Sequence, residues 1–348
     1  MENYPIFEKE YISEREYFLH NDFEKYLNYT DNMVNHIQNN SPDKSEIPLT
    51  FYPIAKNIRI PASYMAINII NGQSSYIQNM PRNGEPHFWR HTKQMGDWFP
   101  WLWARNRIPG NFTNADGWKY YFESFFSDKS MLTAPNNETI KPPDNVSLFF
   151  VYLSCIKYTF WLNNKYTSLM ENYKTQMAWP TDSSILAVQI RRGETCTKDG
   201  SITDRQFLNL NKYIEAIDKM LLANSYEYIY ISTDSDYEID EIKRVRTEWK
   251  LLYLPIDRSQ FFRMSTHPID LEVVCIMEPH RIPFVVDSGI ADLYFISQCK
   301  GYISTISSSE FSRCGWFLQI ATQKQITPYI DMNNEILDMS KRDKLLLL

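Results

Sequence analysis

Two arginines, a glycine and a carboxylate follow directly on an apolar run: Ile185-Leu186-Ala187-Val188-Gln189-Ile190-Arg191-Arg192-Gly193-Glu194. A guanidinium is a planar fork of donors that matches phosphate oxygens two at a time, so Arg191 and Arg192 point to a phosphate or pyrophosphate. The pair alone leaves a plainer outcome open, with one arginine paired to a nearby carboxylate and the other on the surface. A second feature favours an anion. Ser307-Ser308-Ser309-Glu310 follows the segment Tyr302–Ile306, and Ser307 with Glu310 makes a capping box. A helix starting there would offer free amides and its dipole to a phosphate, whereas a plain cap needs only one serine.

Carboxylates complete the set. Asp234 and Asp236 form an Asp-x-Asp after Tyr226–Thr233. A divalent-metal site, contact with a ligand's sugar or base, and turn or N-cap chemistry are all open for them. Glu194 and Asp199, just past the arginines, could serve as a general base or orient an arginine, against the alternative of a solvated loop charge. Asp292, after Ser288-Gly289-Ile290-Ala291, could accept the two adjacent donors of a guanine edge or be a cap or first-turn acid.

These residues need elements to hold them. Residues 185–190 read as a strand buried on both faces, as in parallel sheets, whose end is the rim where an open α/β sheet binds ligands. Downstream, Thr203-x-x-Gln206 makes a capping box ahead of a helix with Tyr213, Ile214, Ile217, Met220 and Leu221 on one stripe. Strands follow at Tyr226–Thr233, Leu251–Leu254 and Tyr302–Ile306. Helices follow at Tyr237–Trp249, through Asp292 and Ser297, and from the serine run to about residue 323. That alternation predicts a parallel sheet with crossover helices. Upstream, Val146–Leu162 and Tyr166–Met177 predict two helices broken at Asn163-Asn164, with a domain boundary between about 163 and 183. Short helices over roughly Glu8–Leu27 are expected, followed by a loop reaching about residue 48. Residues 50–80, with Ile58-Arg59-Ile60 and Ala66–Ile70, read as one or two strands and a helix. Residues 81–121 hold five of the nine tryptophans (Trp89, Trp98, Trp101, Trp103, Trp118) among several arginines. They suit either an aromatic core or a surface for a sugar ring and its charged groups.

Composition narrows the classes. The 348 residues carry a net charge of −6, against a nucleic-acid surface. Only 10 glycines are present and no glycine-rich phosphate loop. The five cysteines are scattered without paired spacing, so neither zinc nor a disulfide framework is signalled. No signal peptide and no membrane span are expected.

Taken in order, these pieces resemble the donor-binding half of the α1,6-, α1,2- and protein O-fucosyltransferase superfamily, most closely its α1,6 branch. That superfamily has a strand ending His-x-Arg-Arg-(x)-Asp, here Gln189-Ile190-Arg191-Arg192-Gly193-Glu194. A strand ending Thr-Asp follows, here Thr233-Asp234. Then come an Asp-x-x-Phe-Leu-Ser-x-(Ala/Cys) helix, here Asp292–Cys299, and Thr-x-Ser-Ser, here Thr305-Ile306-Ser307-Ser308. The resemblance covers about 185–325 and implies an α/β, GT-B-like fold of two domains. These would be an N-terminal acceptor-side domain (1–165), a C-terminal Rossmann-like domain holding the nucleotide sugar (183–330) and a tail (331–348). It implies an inverting, metal-independent enzyme moving fucose from GDP-fucose to a glycan or glycoprotein acceptor, with no further cofactor. Arg191 would grip the β-phosphate with Arg192 beside it. Gln189, Asp234, Thr305, Ser307 and Ser308 would meet the donor, and Asp292 would read guanine. Asp199 falls where a carboxylate base is proposed. Gln189 stands for the family's histidine, Glu194 for its aspartate and Thr195 for a lysine of the core enzymes, so the base relay differs. The same fold with another nucleotide sugar, or a binding protein without turnover, are the rival readings.

Overall fold

The computed structural model describes residues 23–40, 44–47, 54–71, 73–77, 148–192, 208–261, 281–306 and 308–333. In chain order the elements are α1 (Phe23–Asn40), β1 (Lys44–Ile47), α2 (Ile54–Ile70), β2 (Ser74–Ile77), α3 (Leu148–Thr159) and α4 (Asn164–Met177). They continue with β3 (Ile185–Ile190), α5 (Leu210–Ala223), β4 (Tyr228–Thr233), α6 (Asp236–Val245), β5 (Leu251–Leu252) and a 3-10 turn (Arg258–Phe261). The last are α7 (Ile282–Gln298), β6 (Gly301–Ser304), α8 (Glu310–Gln323) and β7 (Tyr329–Asp331).

The main sheet has the order β5-β4-β3-β6-β7, with every pairing parallel. Numbered from its own first strand this is 3-2-1-4-5, so the order reverses between β3 and β6. That is the switch point where ligands bind in open α/β sheets. All six residues of β3 are buried, as its apolar run requires of a central strand. The alternation of side chains divides them. Leu186, Val188 and Ile190 pack with Tyr213, Ile214 and Ile217 of α5 and Ile239 and Ile242 of α6. Ile185 and Ala187 face the opposite cluster, with Phe295 and Ile296 of α7 and Trp316 and Phe317 of α8. Each such apolar side chain contributes about 1.5–3 kcal/mol on full burial. The glycine that opens β6 leaves room for its neighbours: a Cβ on Gly301 would lie 2.3 Å from the Tyr226 hydroxyl and 3.1 Å from Leu186, so a side chain there would have to displace the Tyr226 ring.

The N-terminal helices join the α7–α8 side in one apolar cluster. The rings of Phe149 and Tyr152 on α3 meet Phe317 of α8 edge-on, at 6.5 and 5.3 Å. The Thr30 and Ser154 hydroxyls link α1 to α3 at 2.8 Å. Helix α4 is capped by Asn163, whose side chain accepts from the Tyr166 N–H, and the Tyr166 hydroxyl donates to Asp287 of α7 at 2.7 Å. A separate pair of short parallel strands, β1 and β2, flanks α2.

Several expectations are corrected here. Both isoleucine runs of residues 54–70 belong to one helix. The reason is that Ile58, Ala62, Met65, Ala66 and Ile69 recur at helical spacing and are all buried. The loop expected before residue 48 is helical to Asn40. Helix α5 is capped by Asn209, whose side chain accepts from the Asn211 N–H, and the Thr203 capping box lies outside the described residues. Ser309, not Ser307, caps α8 and accepts from the Ser312 N–H at 3.3 Å. A fifth strand, β7, lies where only the end of the domain and a tail were expected. The expected helix over Glu8–Leu27 falls, up to residue 22, outside the described residues. So do the tryptophan-rich segment 81–121 and the tail beyond 333.

Candidate nucleotide site at the sheet rim

At the carboxyl edge of the sheet, β3 ends in the two arginines, β4 in Thr233-Asp234, and β6 in the turn leading to α8. The pleat that separates odd from even residues in β3 also separates the arginines. Arg192 turns to the α5–α6 side and is buried. Its Nε donates to Glu238 Oε1 at 2.5 Å, its Nη1 to the Leu208 carbonyl at 2.7 Å, and its plane lies 5.7 Å from the Tyr213 ring centroid. Both partners of this ion pair are 7% exposed, and the second oxygen of Glu238 is buried without a partner. Arg192 is therefore an internal cation, the plainer outcome left open by the sequence, and the catalytic placing implied by resemblance does not match where its guanidinium sits. Its backbone N–H donates to Asp234 Oδ1 at 2.8 Å, tying the ends of β3 and β4 together. Arg191, by contrast, is partly exposed at the rim.

Gln189 precedes Arg191 on the α8 side. Its Oε1 accepts from the hydroxyls of Ser304 on β6 and Ser312 on α8, each at 2.6 Å, and those hydroxyls lie 2.6 Å from one another. Two hydroxyl protons serve this triangle of three contacts, and all three residues are buried. Gln189 thus sits beneath the crevice as a clamp between the strand pair β3–β6 and the start of α8. The turn over the crevice is closed by the Thr305 carbonyl, which accepts from the Ser308 N–H at 3.2 Å and the Ser309 N–H at 2.9 Å. Ser308 is exposed, and its hydroxyl accepts from Asn333 Nδ2 at 2.7 Å. Glu310 opens α8, where a bare acid would repel a phosphate. Its carboxylate instead accepts from the buried Arg313 at 2.9 Å, which offsets that charge.

Asp292 lies in the middle of α7, not at its cap. It faces β4, where Tyr230, Ser232 and Asp234 share one side of the strand by alternation. The Tyr230 hydroxyl donates to Asp292 Oδ1 at 2.5 Å. Loss of water pushes the Asp292 carboxyl up to about 6, against the lowering pull of the Tyr230 hydrogen bond and the Arg258 charge. Burial likewise raises Tyr230 well above an ordinary phenol, with the neighbouring Asp292 charge adding to the rise.

Arg258 has no counterpart in the sequence reading. It is buried, with Nε donating to the Thr233 carbonyl at 2.9 Å, Nη2 to the Leu254 carbonyl at 3.1 Å and Nη1 to Asp236 at 3.1 Å. Asp236, 59% exposed, is the first residue of α6 behind the N-cap Ser235. The Asp-x-Asp therefore divides into a strand-end tie and a first-turn acid. No group of three or more potential metal ligands occurs among the described residues. Glu194, Asp199 and Ser307 lie outside them. The rim as described can bind an anion at Arg191 and the turn before α8, and a hydrogen-bonding ring edge near Asp292.

Among the described residues, no helix is long and apolar enough to cross a membrane. Neither a protein-family model nor a curated protein matches the chain. Solved structures with some similarity include the NodZ α-1,6-fucosyltransferase soaked with GDP-fucose, at 12% identity and TM-score 0.41, over 79% of this chain and 92% of that one. The fucosyltransferase NodZ from Bradyrhizobium gives 14% and 0.41, over 79% and 92%. POFUT1 in complex with GDP-fucose gives 10% and 0.40, over 82% of this chain and 96% of that one. Likeness of this degree decides nothing about chemistry, which rests on the residues of the rim.

Proposed function

We propose that the protein is a glycosyltransferase that takes GDP-fucose at the β3–β6 crevice and transfers fucose to a glycan or glycoprotein acceptor with inversion and without a metal. The observation that supports this most is the switch point itself. It brings Arg191 and the Thr305–Ser309 turn to one crevice, with the hydrogen-bonding carboxylate of Asp292 on the helix behind the neighbouring strand. The motif resemblance over 185–325 names the donor. In the reaction an acceptor hydroxyl oxygen bonds to the sugar C1 as the bond from C1 to the β-phosphate oxygen breaks. GDP leaves with the electron pair, and the hydroxyl proton passes to a base. Arg191 stabilises the charge growing on the leaving diphosphate, where a fixed donor counts most. Glu194 or Asp199 is the proposed base. The proposed division of the chain is an acceptor-side unit over 1–165 and a donor-binding unit over 183–330.

A second reading, nucleotide-sugar binding without turnover, draws on Gln189. An amide held by two serine hydroxyls has no proton to relay where the family has a histidine. The test is a thermal-shift panel of GDP, GDP-fucose, GDP-mannose and a UDP-sugar, followed by assay of fucose transfer or donor hydrolysis with and without EDTA. Selective stabilisation by GDP and GDP-fucose is expected, since a ligand bound only to the folded state raises the melting temperature. A folded protein that responds to neither ends the proposal. Binding without either reaction selects the second reading, and loss of activity in EDTA would return the metal to Asp234 and Asp236.

A further inference from the structure

A cavity of 390 Å³ opens at the other edge of the molecule. Its walls include the last turn of α7 and the residues just past α3, where the sheet's strands begin rather than end, so it shares nothing with the rim. The volume is within the range of small-molecule sites. Tyr158, Trp161 and Tyr294 line it, and Trp161 is 60% exposed. A single exposed tryptophan is unremarkable on a protein surface. One lining a cavity of ligand size beside two tyrosines supplies flat apolar faces at a wet edge. Asp31 and Asn35 line the same cavity from α1, four residues apart on one side of that helix. Asp31 accepts from Lys157 at 2.7 Å, so the lining charges cancel and leave no net charge for an ionic ligand. Asn35 is exposed and has no hydrogen-bond partner among the described residues.

Three aromatic side chains, an amide and a neutralised ion pair lining one cavity suit a ligand that is apolar on its faces, rich in hydroxyls at its edge and uncharged. We infer that this cavity is a binding site for a neutral pyranose, separate from the nucleotide rim and independent of the function proposed for it. For so small a ligand the dissociation constant should be on the order of 1 mM.

The test is titration of the full chain, followed by ligand-detected NMR, with methyl glycosides of glucose, galactose, mannose, fucose and N-acetylglucosamine. Glucuronate serves as the charged control and cyclohexanol as the apolar one. At least one neutral glycoside should bind saturably and more tightly than either control. Trp161→Ala should weaken it by about tenfold and Asn35→Ala by a smaller factor, both without loss of melting temperature, because both side chains are exposed. The melting response to GDP, which reads the rim, should be the same in wild type and both variants, including the case where there is none. Absence of glycoside binding well above that constant, equal binding of glucuronate, or binding untouched by both substitutions would each overturn the inference.

Discussion

The two sides of the sheet treat neighbouring arginines in opposite ways. On the α5–α6 side Arg192 is swallowed by the fold, with its charge matched by Glu238 and its Nη1 donating to the Leu208 carbonyl. On the α7–α8 side the strand end carries the clamp of Gln189, Ser304 and Ser312, the enclosed Asp292 and the partly exposed Arg191. One side uses ionic groups to fix the ends of β3 and β4, and the other leaves one of them, Arg191, partly open at the rim. Charge at a strand end is therefore poor evidence of a site until its direction across the pleat is known.

Four experiments test this division, in order of expected size. Arg192→Met leaves Glu238 buried without its cation and should lower unfolding stability by about 3–5 kcal/mol in urea titrations, with most of it regained on adding Glu238→Leu. If Arg192 instead serves the ligand, activity would fall while stability held. Arg191→Ala should do the reverse. It should slow transfer by about 10²–10³-fold, roughly 2.7–4 kcal/mol of barrier, with a smaller loss of stability than Arg192→Met. The third is a pH profile. Asp292 has a folded-state value raised above the unfolded one, so between about pH 4 and pH 6 the folded protein holds the extra proton and stability falls as pH rises, then levels off above about 6. The span is about 2–3 kcal/mol at one pH unit per 1.36 kcal/mol, and Asp292→Asn should remove it from pH-dependent unfolding curves. If Asp292 reads guanine as proposed, it must do so ionised, and GDP affinity should then weaken below about pH 6 over the same range. Last, Gln189→Leu leaves the Ser304 and Ser312 hydroxyls without their shared acceptor. It should cost about 1–3 kcal/mol of stability and loosen nucleotide binding as well, since the clamp sits under the crevice. A loss confined to stability would move Gln189 to the structural side of the comparison.

Much of the C-terminal half was legible in the sequence because its strands are continuous apolar runs with turn residues at their ends. Ile185–Ile190 is the clearest case, and the stripe Tyr213, Ile214, Ile217 and Met220 marks α5 by spacing alone. Elsewhere local signals misled. In α2, Pro61 and a wealth of isoleucine argue against a helix, and tertiary burial of one face overrides both. The three-residue β7 is too short to show a period, and its existence depends on β6 offering an edge. At the site, residue types were legible but their directions were less so. Asp292 could be named but not freed from the cap alternative, because its position within α7 is fixed by where the helix begins. Arg258 opens the short 3-10 turn after β5, and nothing local tells that its guanidinium collects the carbonyls of Thr233 and Leu254. Tyr230 was within reach, since counting back by twos from Asp234 places it on the Asp292 side.

The strand that opens the sheet in sequence ends at its middle, and that has a consequence for shortened chains. A polypeptide stopping before Gly301 would still make Ile185–Ile190 and pair it with β4, but its other flank would have no neighbour. A bare, fully apolar edge is a template for a second chain. Such a fragment should self-associate during synthesis or purification, whereas one retaining β6, α8 and β7 should stay dispersed.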